Sequence, residues 1–524
     1  MSDVKWTFEQ EKAIYEKDKN ILVAAAAGSG KTAVLVERIL QKVLDLENQV
    51  NIDELLVVTF TNAAASEMKE RLSDALYKKL EENPDNINLQ KQILLLNKAS
   101  ITTIHAFCLE VIRNNFFEID LDPNFKIADT TEIEILKLEA LEELFENHYN
   151  NKDENFEAVL DTYTNYRSDD GLKELIHTVF NFIQSSPFPK KWLEEKINLF
   201  NVDENNDFAN TIWGNIIINW VTLEVEDSLE KLINLKKKLE VDDNPKYLEV
   251  ILSDIMQIED ILSSLKSSWD NIVIEFDKIE FKRLSASKTG SESLKDLTKV
   301  VREEVKKRIK DMQTTIFTSY SNKTNQDILY MYDILKKLQD LILEFSDIFE
   351  NKKRQKNLID FNDIEHYALK ILVKENEKGE YEPTQIAENY KSKFKELLID
   401  EYQDSNIVQE YILSKISNGN NIFMVGDVKQ SIYRFRQAKP ELFLNKYEIY
   451  DEISENSNYE YGKKIKLFKN FRSRKQVLDI VNLVFETLMS KEIGELDYTK
   501  EEFLNLGANY EEIEDNKEFM RSRT

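Results

Sequence analysis

The stretch ILVAAAAGSGKT, residues 21–32, constrains what this chain can fold into more than any other. Ile21 to Ala26 is an apolar run of the length of one buried strand. A glycine loop follows, Gly28-Ser29-Gly30-Lys31-Thr32, and then Val34, Leu35, Ile39 and Leu40 recur on one helix face. Strand, glycine loop and helix in that order make a P-loop. Its backbone N–H groups, with Ala25, Ala26 and Ala27 leading into them, cradle phosphates at a helix N-terminus. Lys31 is placed to reach the terminal phosphates and Thr32 to hold a magnesium ion. Ala25 stands where the general pattern has glycine. A mere turn between core elements would have no use for Lys31-Thr32 after the second glycine, so ATP with Mg²⁺ is the expected ligand.

Further strands lie on both sides of the loop. LLVVTF (55–60) and ITTI (101–104) read as buried strands, each followed by a helical pattern, and LLI (397–399) and IFMV (422–425) repeat the theme. Strands alternating with helices imply an α/β fold with a parallel sheet, whose ligands gather at the strands' C-terminal ends. Candidate residues stand at those ends. Asp400 and Glu401 close the 397–399 strand: Asp400 is placed to share the magnesium with Thr32, and Glu401 to orient and deprotonate a water. Two adjacent acids at a buried strand end have no cheap structural use, because desolvating unpaired carboxylates is costly. Gln430 follows the 422–425 strand closely enough to sense a γ-phosphate, and Arg472, in the loop after IKLF (465–468), can act as an arginine finger. Gln10, ahead of the P-loop strand with Thr7 as a plausible N-cap, has the amide that could pair with adenine. Phe60, Thr61, Asn62 and His105 sit at strand ends, and Tyr433 and Phe435 alternate with Arg434 and Arg436, a pattern suited to stacking on bases and contacting phosphates.

Between about 110 and 350 the pattern changes to helical spacing with almost no Gly or Pro. This reads as a helical insertion, residues 111–350, splitting one α/β domain into 1–110 and 351–460, with 461–524 beginning a second. The segment 281–295 and the cluster Lys352-Lys353-Arg354 read as solvated surface, DFNDIE (360–365) as a helix cap made by Asp360 and Asp363, and the tail from Glu495 as irregular. The net charge of −27 argues against a nucleic-acid partner only until its distribution is examined: Lys463, Lys464, Lys466, Lys469, Arg472, Arg474 and Lys475 fall in one segment without an acid. The single cysteine, Cys108, excludes an internal disulfide. No apolar leader and no run of about 18 apolar residues is present, so a cytoplasmic protein without a membrane partner is expected.

Taken jointly, the motifs resemble those of superfamily 1 DNA helicases of the UvrD/Rep type. WTFEQEKAI (6–14) is similar to that family's Q motif, AAAAGSGKT (24–32) to its Walker A, TFTNAAASEM (59–68) and TIHAFC (103–108) to its early DNA-contacting motifs, and LLIDEYQDS (397–405) to its Walker B. VGDVKQSIYRFR (425–436) and LFKNFRS (467–473) complete the set. Within the family the chain looks most like the N-terminal part of the A subunit of the AddAB-type ATP-dependent helicase/nuclease. The resemblance implies two RecA-like domains around an ATP cleft, a 3′→5′ motor acting on single-stranded DNA and duplex ends in double-strand break repair, and a heterodimer formed with a B subunit. It assigns adenine to Gln10, phosphates and Mg²⁺ to Lys31 and Thr32, and hydrolysis to Asp400 and Glu401. Coupling falls to Gln430, a finger role to Arg472, and DNA contact to Phe60, His105, Tyr433 and Phe435; many relatives carry Trp where Phe435 stands. The late helicase motifs and the nuclease domain of that type are not found, so the chain is expected to be an N-terminal portion. The alternatives are a stand-alone UvrD-like repair helicase, or an ATP- and DNA-binding module with little turnover.

Overall fold

The computed structural model describes residues 5–45, 47–164, 168–242, 244–285, 289–453, 459–508 and 510. They form two compact units. One comprises Met1–Glu139, Gln184–Pro189 and Phe349–Thr524; the other comprises Ala140–Ile183 and Lys190–Ile348.

The first unit is built on a seven-stranded parallel sheet. In chain order its strands are β1 (Ile21–Ala25), β2 (Leu55–Thr59), β3 (Ser100–Thr103), β4 (Glu396–Ile399), β5 (Ile422–Gly426), β6 (Asp451–Glu452) and β7 (Lys463–Leu467). Across the sheet they run β6-β7-β1-β5-β4-β2-β3, which places the P-loop strand between β7 and β5. Helices cover both faces, as a parallel sheet requires. Alternation along the strands sends Leu22, Leu56, Leu397 and Met424 into one core with Phe107 and Tyr367. The same alternation sends Val23, Val57, Leu398 and Phe423 into a second core with Ile14, Leu35 and Ile39. Arg38 lies in the second core, only 1% exposed. Its guanidinium sits 2.6 Å from Glu396 Oε1 and 4.1 Å from the centre of the Phe423 ring, and donates to the Ala13 carbonyl at 2.8 Å. It thereby fastens the end of the helix Phe8–Tyr15 to the P-loop helix Lys31–Leu44.

Several sequence expectations are corrected here. The boundary at 461 falls too early: β7 pairs with β1 from Ile21↔Lys463 to Ala25↔Leu467, so it is a strand of the P-loop sheet. Of the expected insertion 111–350, residues 111–139 and 184–189 belong to the sheet-containing unit. Lys353 is not solvated surface; it is buried between Asp360 Oδ2 at 3.1 Å and Asp363 Oδ2 at 2.5 Å. Those acids also form the expected capping box on the helix Phe361–Leu372. The tail is partly ordered by pairing of Asn505–Leu506 with Lys469–Asn470. Within 281–295, residues 286–288 lie outside the described residues and a helix begins at Glu292. The basic run is largely spent internally. Lys463 pairs with Glu16, Lys464 donates to the Tyr447 carbonyl and Lys466 pairs with Glu452.

The second unit is helical, with Ile212–Val241, Pro245–Ser264, Glu292–Thr315 and Ser321–Gln355 as its longest helices that fall in it wholly or mainly. Trp269 anchors its core against Phe208 and Phe317, with Nε1 donating to the Ser319 carbonyl at 2.9 Å. Among these apolar side chains Arg302 pairs with the fully buried Asp254, Nε to Oδ2 at 2.5 Å. Burial pushes the Asp254 carboxyl up, opposed by the Arg302 guanidinium. Removing one partner of such a pair leaves a desolvated charge, so Arg302→Ala is expected to cost about 3–5 kcal/mol in urea unfolding of this unit; a loss below about 1 kcal/mol would mean that water reaches Asp254. No helix among the described residues is long and apolar enough to cross a membrane.

Candidate nucleotide site

Three neighbouring strands deliver the site at their C-terminal ends. β1 runs into the loop Ala26–Gly30, where Gly28 and Gly30 have φ of 68° and 86°. That left-handed backbone favours glycine, and space demands it too: a Cβ on Gly28 would lie 2.8 Å from Asn470 Nδ2. Lys31 and Thr32 open the helix Lys31–Leu44, so the loop's N–H groups and the helix N-terminus face one direction.

β4 ends in Asp400 and Glu401. The Asp400 backbone N–H donates to the Val58 carbonyl at 2.9 Å, holding the turn to the sheet. Desolvation and the neighbouring Glu401 push the Asp400 carboxyl up to about 6, against the pull of Lys31. Glu401 has a φ of 52°, a strained backbone for a residue with a side chain and a common mark of functional turns. Its Oε2 accepts from Lys31 Nζ at 2.8 Å and from Gln403 Nε2 at 2.9 Å. β5 ends at Gly426. Asp427 follows, 3% exposed, and accepts from Gln430 Nε2 at 2.7 Å.

Lys31, Thr32, Glu401, Gln430 and Arg472 line one cavity of about 280 Å³ with Ala27, Gly28, Ser29 and Gly30. The sequence had proposed all of these. Arg472 reaches the cavity because its segment is fastened to the loop: Asn470 Nδ2 donates to the Ala27 carbonyl at 2.6 Å, and the Phe471 N–H to the Gly28 carbonyl at 2.9 Å. Asn470 Oδ1 in turn accepts from the Arg472 N–H at 2.8 Å. Gln10 is positioned differently from the adenine role expected of it. Its Oε1 accepts from the Thr7 N–H at 2.9 Å and its Nε2 donates to the Ser29 carbonyl at 3.0 Å. The amide therefore caps its own helix and braces the P-loop.

Three residues escaped the sequence reading. Gln403, 1% exposed, joins two walls by accepting from the Asp427 N–H at 3.0 Å while donating to Glu401. Its signal was its place inside DEYQDS. Arg71 lines the cavity from the helix Asn62–Glu82, where its 51% exposed side chain pairs with Glu67; nothing in its spacing marked it. Asn470 stood beside Arg472 and was passed over for the arginine.

The residues fit a nucleoside triphosphate with a hard cation. Ser29 Oγ is buried in the loop without a hydrogen-bond partner, and a desolvated carboxylate, a hydroxyl and a lysine surround the cavity. Thr32 and Asp400 are the oxygen donors that would hold magnesium.

A second group of side chains lies at neighbouring strand ends. Phe60, after β2, packs on Tyr433 with ring centres 4.7 Å apart, and Tyr433 on Phe435 at 5.9 Å. Phe435 is 75% exposed. His105, in the first turn of Ile104–Asn115, lies 3.2 Å from Glu365 Oε1. Glu365, from the DFNDIE segment, is held by Asn406 Nδ2 at 3.1 Å and Gln409 Nε2 at 2.8 Å. Thr61 is occupied as the N-cap of Asn62–Glu82, and Asn62 Oδ1 accepts from Thr103 Oγ1 at 3.4 Å. Arg434, expected to contact phosphates, is paired instead with Glu441 and Glu495 at 2.8 and 2.7 Å. Cys108 is fully buried, and burial pushes its thiol up, as a packing residue requires.

Parallel sheet, P-loop, strand-end acid pair and sensor glutamine define a RecA-like P-loop nucleotide-binding protein. The UvrD/REP helicase N-terminal domain family matches residues 6–451, and the chain belongs to that family. It is 46% identical over 535 residues to the A subunit of the ATP-dependent helicase/nuclease of Clostridioides difficile (strain 630), covering 100% of this chain and 42% of that protein. The protein of the same name from Ruminiclostridium cellulolyticum is 47% identical over 521 residues, 97% of this chain and 41% of the relative. That from Acetivibrio thermocellus is 46% identical over 523 residues, with 97% and 41% covered. The chain thus spans about two fifths of the length of the curated relatives it matches.

Proposed function

We propose that Met1–Thr524 supplies the ATP-binding wall and part of the DNA-contacting surface of a DNA-translocating helicase, working in the cytoplasm as the A subunit of a helicase/nuclease that processes double-strand breaks. The observation that carries the reading is the convergence of Lys31, Glu401, Gln430 and Arg472, from separate strand ends, on one cavity. Magnesium, when bound, would draw charge from the phosphates. The loop N–H groups and Lys31 bind and orient the triphosphate. To do so Lys31 must leave Glu401, which frees one carboxylate oxygen to take a proton from water. Arg472 stabilises charge on the transferred phosphoryl, and Gln430 reports its presence. The likeness to the curated relatives and to the family supports movement in the 3′→5′ direction and pairing with a B subunit.

Phe60, Tyr433 and Phe435 form the stacking platform for single-stranded DNA. Tyr433 lies three residues from Gln430, so base contact and phosphate sensing share one loop. Tyr433→Ala is expected to weaken binding of an oligothymidylate by about 1–3 kcal/mol in fluorescence anisotropy, with ATP-analogue affinity retained. Unchanged oligonucleotide affinity would remove the platform. The reading as a whole is tested by phosphate release with and without single-stranded DNA, using the chain together with the polypeptide that follows it in its relatives. Stimulation by DNA supports it, and hydrolysis indifferent to DNA favours the alternative of a binding module.

A further inference from the structure

Gln430 is held in place by a chain of side chains that leads away from the cavity. Its amide donates to Asp427 Oδ2 at 2.7 Å, and Asp427 is almost fully buried. A carboxylate so placed requires a counter-charge. Lys429 supplies it: Nζ lies 3.0 Å from Asp427 Oδ1, and the Lys429 N–H donates to the same oxygen at 3.2 Å. Lys429 Nζ also lies 3.1 Å from Glu502 Oε2, and the side chains of this pair are only 14% and 12% exposed. The two carboxylates hold the lysine pKa up against its burial. The other oxygen of Glu502, Oε1, accepts from the Tyr447 hydroxyl at 2.5 Å.

Glu502 belongs to the segment that wraps the arginine-bearing loop. Upstream of it the Tyr498 hydroxyl donates to Asn482 Oδ1 at 2.7 Å. Downstream, the Asn505 N–H donates to the Phe468 carbonyl at 2.9 Å and the Gly507 N–H to the Asn470 carbonyl at 2.8 Å. Asn470 is the residue that clamps the P-loop and supports Arg472. One carboxylate therefore joins the segment behind Arg472 to the loop that carries Gln430.

We propose that Glu502 and Lys429 are a positioning pair that acts through Asp427 to fix the Gln430 amide for the γ-phosphate, and that links this sensor to the arginine-bearing segment. The proposal rests on the reading of the cavity as an ATP site. Neither residue lines the cavity, so neither touches nucleotide, and their effect is confined to what Gln430 recognises. ADP lacks that group. Losing the pair weakens a non-hydrolysable ATP analogue while sparing ADP, whereas general damage to the fold weakens both.

The test is a double-mutant cycle with Lys429→Met and Glu502→Ala, read as the ratio of affinities for the imido analogue of ATP and for ADP with magnesium, by isothermal titration. Each single variant is expected to lower the ratio by about five- to tenfold, as for loss of a charge-assisted hydrogen bond. Because Glu502 acts through Lys429, the double variant should match Lys429→Met alone. The pairing is overturned if Glu502→Ala leaves the ratio unchanged, if it lowers both affinities equally, or if its effect persists in full in the Lys429→Met background. A wild-type protein that binds neither nucleotide overturns the ATP-site reading itself, and the inference with it.

Discussion

Replacing Lys31 with alanine is expected to reduce DNA-stimulated ATP hydrolysis by about 10²–10³-fold, the cost of removing one preorganised charge from a phosphoryl-transfer site. Lys31 has two partners to lose, the phosphates and an acid. Its ammonium rests on Glu401 Oε2 at 2.8 Å, with the side chains 13% and 36% exposed. A pair this open to water contributes little to stability. The fold should therefore survive the substitution, because the P-loop is braced by Gln10 and Asn470 rather than by Lys31. Phosphate release measured beside a thermal melt separates the two effects: activity lost with the melt unchanged is the expected outcome.

The second large effect is expected at Glu401. Glu401→Gln keeps the shape of the side chain and can still accept from Lys31 and donate or accept at Gln403, but it cannot take a proton from water. Hydrolysis should fall by about 10²–10⁴-fold. Nucleotide affinity should be retained or rise, because a negative charge beside the phosphates is gone. The positive φ at this position is unaffected, since glutamine meets the same backbone restriction as glutamate. Single-turnover hydrolysis together with analogue binding checks both halves. Loss of analogue binding would show that Glu401 shapes the cavity instead of serving the reaction.

The parallel sheet and the phosphate-facing residues were legible in the sequence because each carries a local signature. A strand buried on both faces is a continuous apolar run, and a phosphate loop needs glycines at fixed offsets, which Gly28 and Gly30 meet. Asp400 and Glu401 stood out because two acids at the end of such a run have no packing use. What stayed hidden depends on tertiary neighbours. Lys353 reads as one more charge in a basic cluster until Asp360 and Asp363 close around it. Lys463, Lys464 and Lys466 read as a surface patch because nothing local reveals that Lys463–Leu467 is a sheet strand beside Ile21–Ala25. The same pairing moved the domain boundary. Gln10 was assigned to a base on the strength of its amide, and the structure shows that amide serving the Ser29 carbonyl instead. Gln403 joins Glu401 to Asp427 across strands that the sequence could not place side by side.

The most direct measurement is an isothermal titration of Met1–Thr524, first with the magnesium complex of the imido analogue of ATP and then with an oligothymidylate, for the wild type, Lys31→Ala and Tyr433→Ala. Two separable sites on one sheet edge predict that the wild type binds both, that Lys31→Ala loses the nucleotide and keeps the oligonucleotide, and that Tyr433→Ala does the reverse. Nucleotide binding that survives Lys31→Ala undiminished would contradict the assignment of the cavity at the end of Ile21–Ala25.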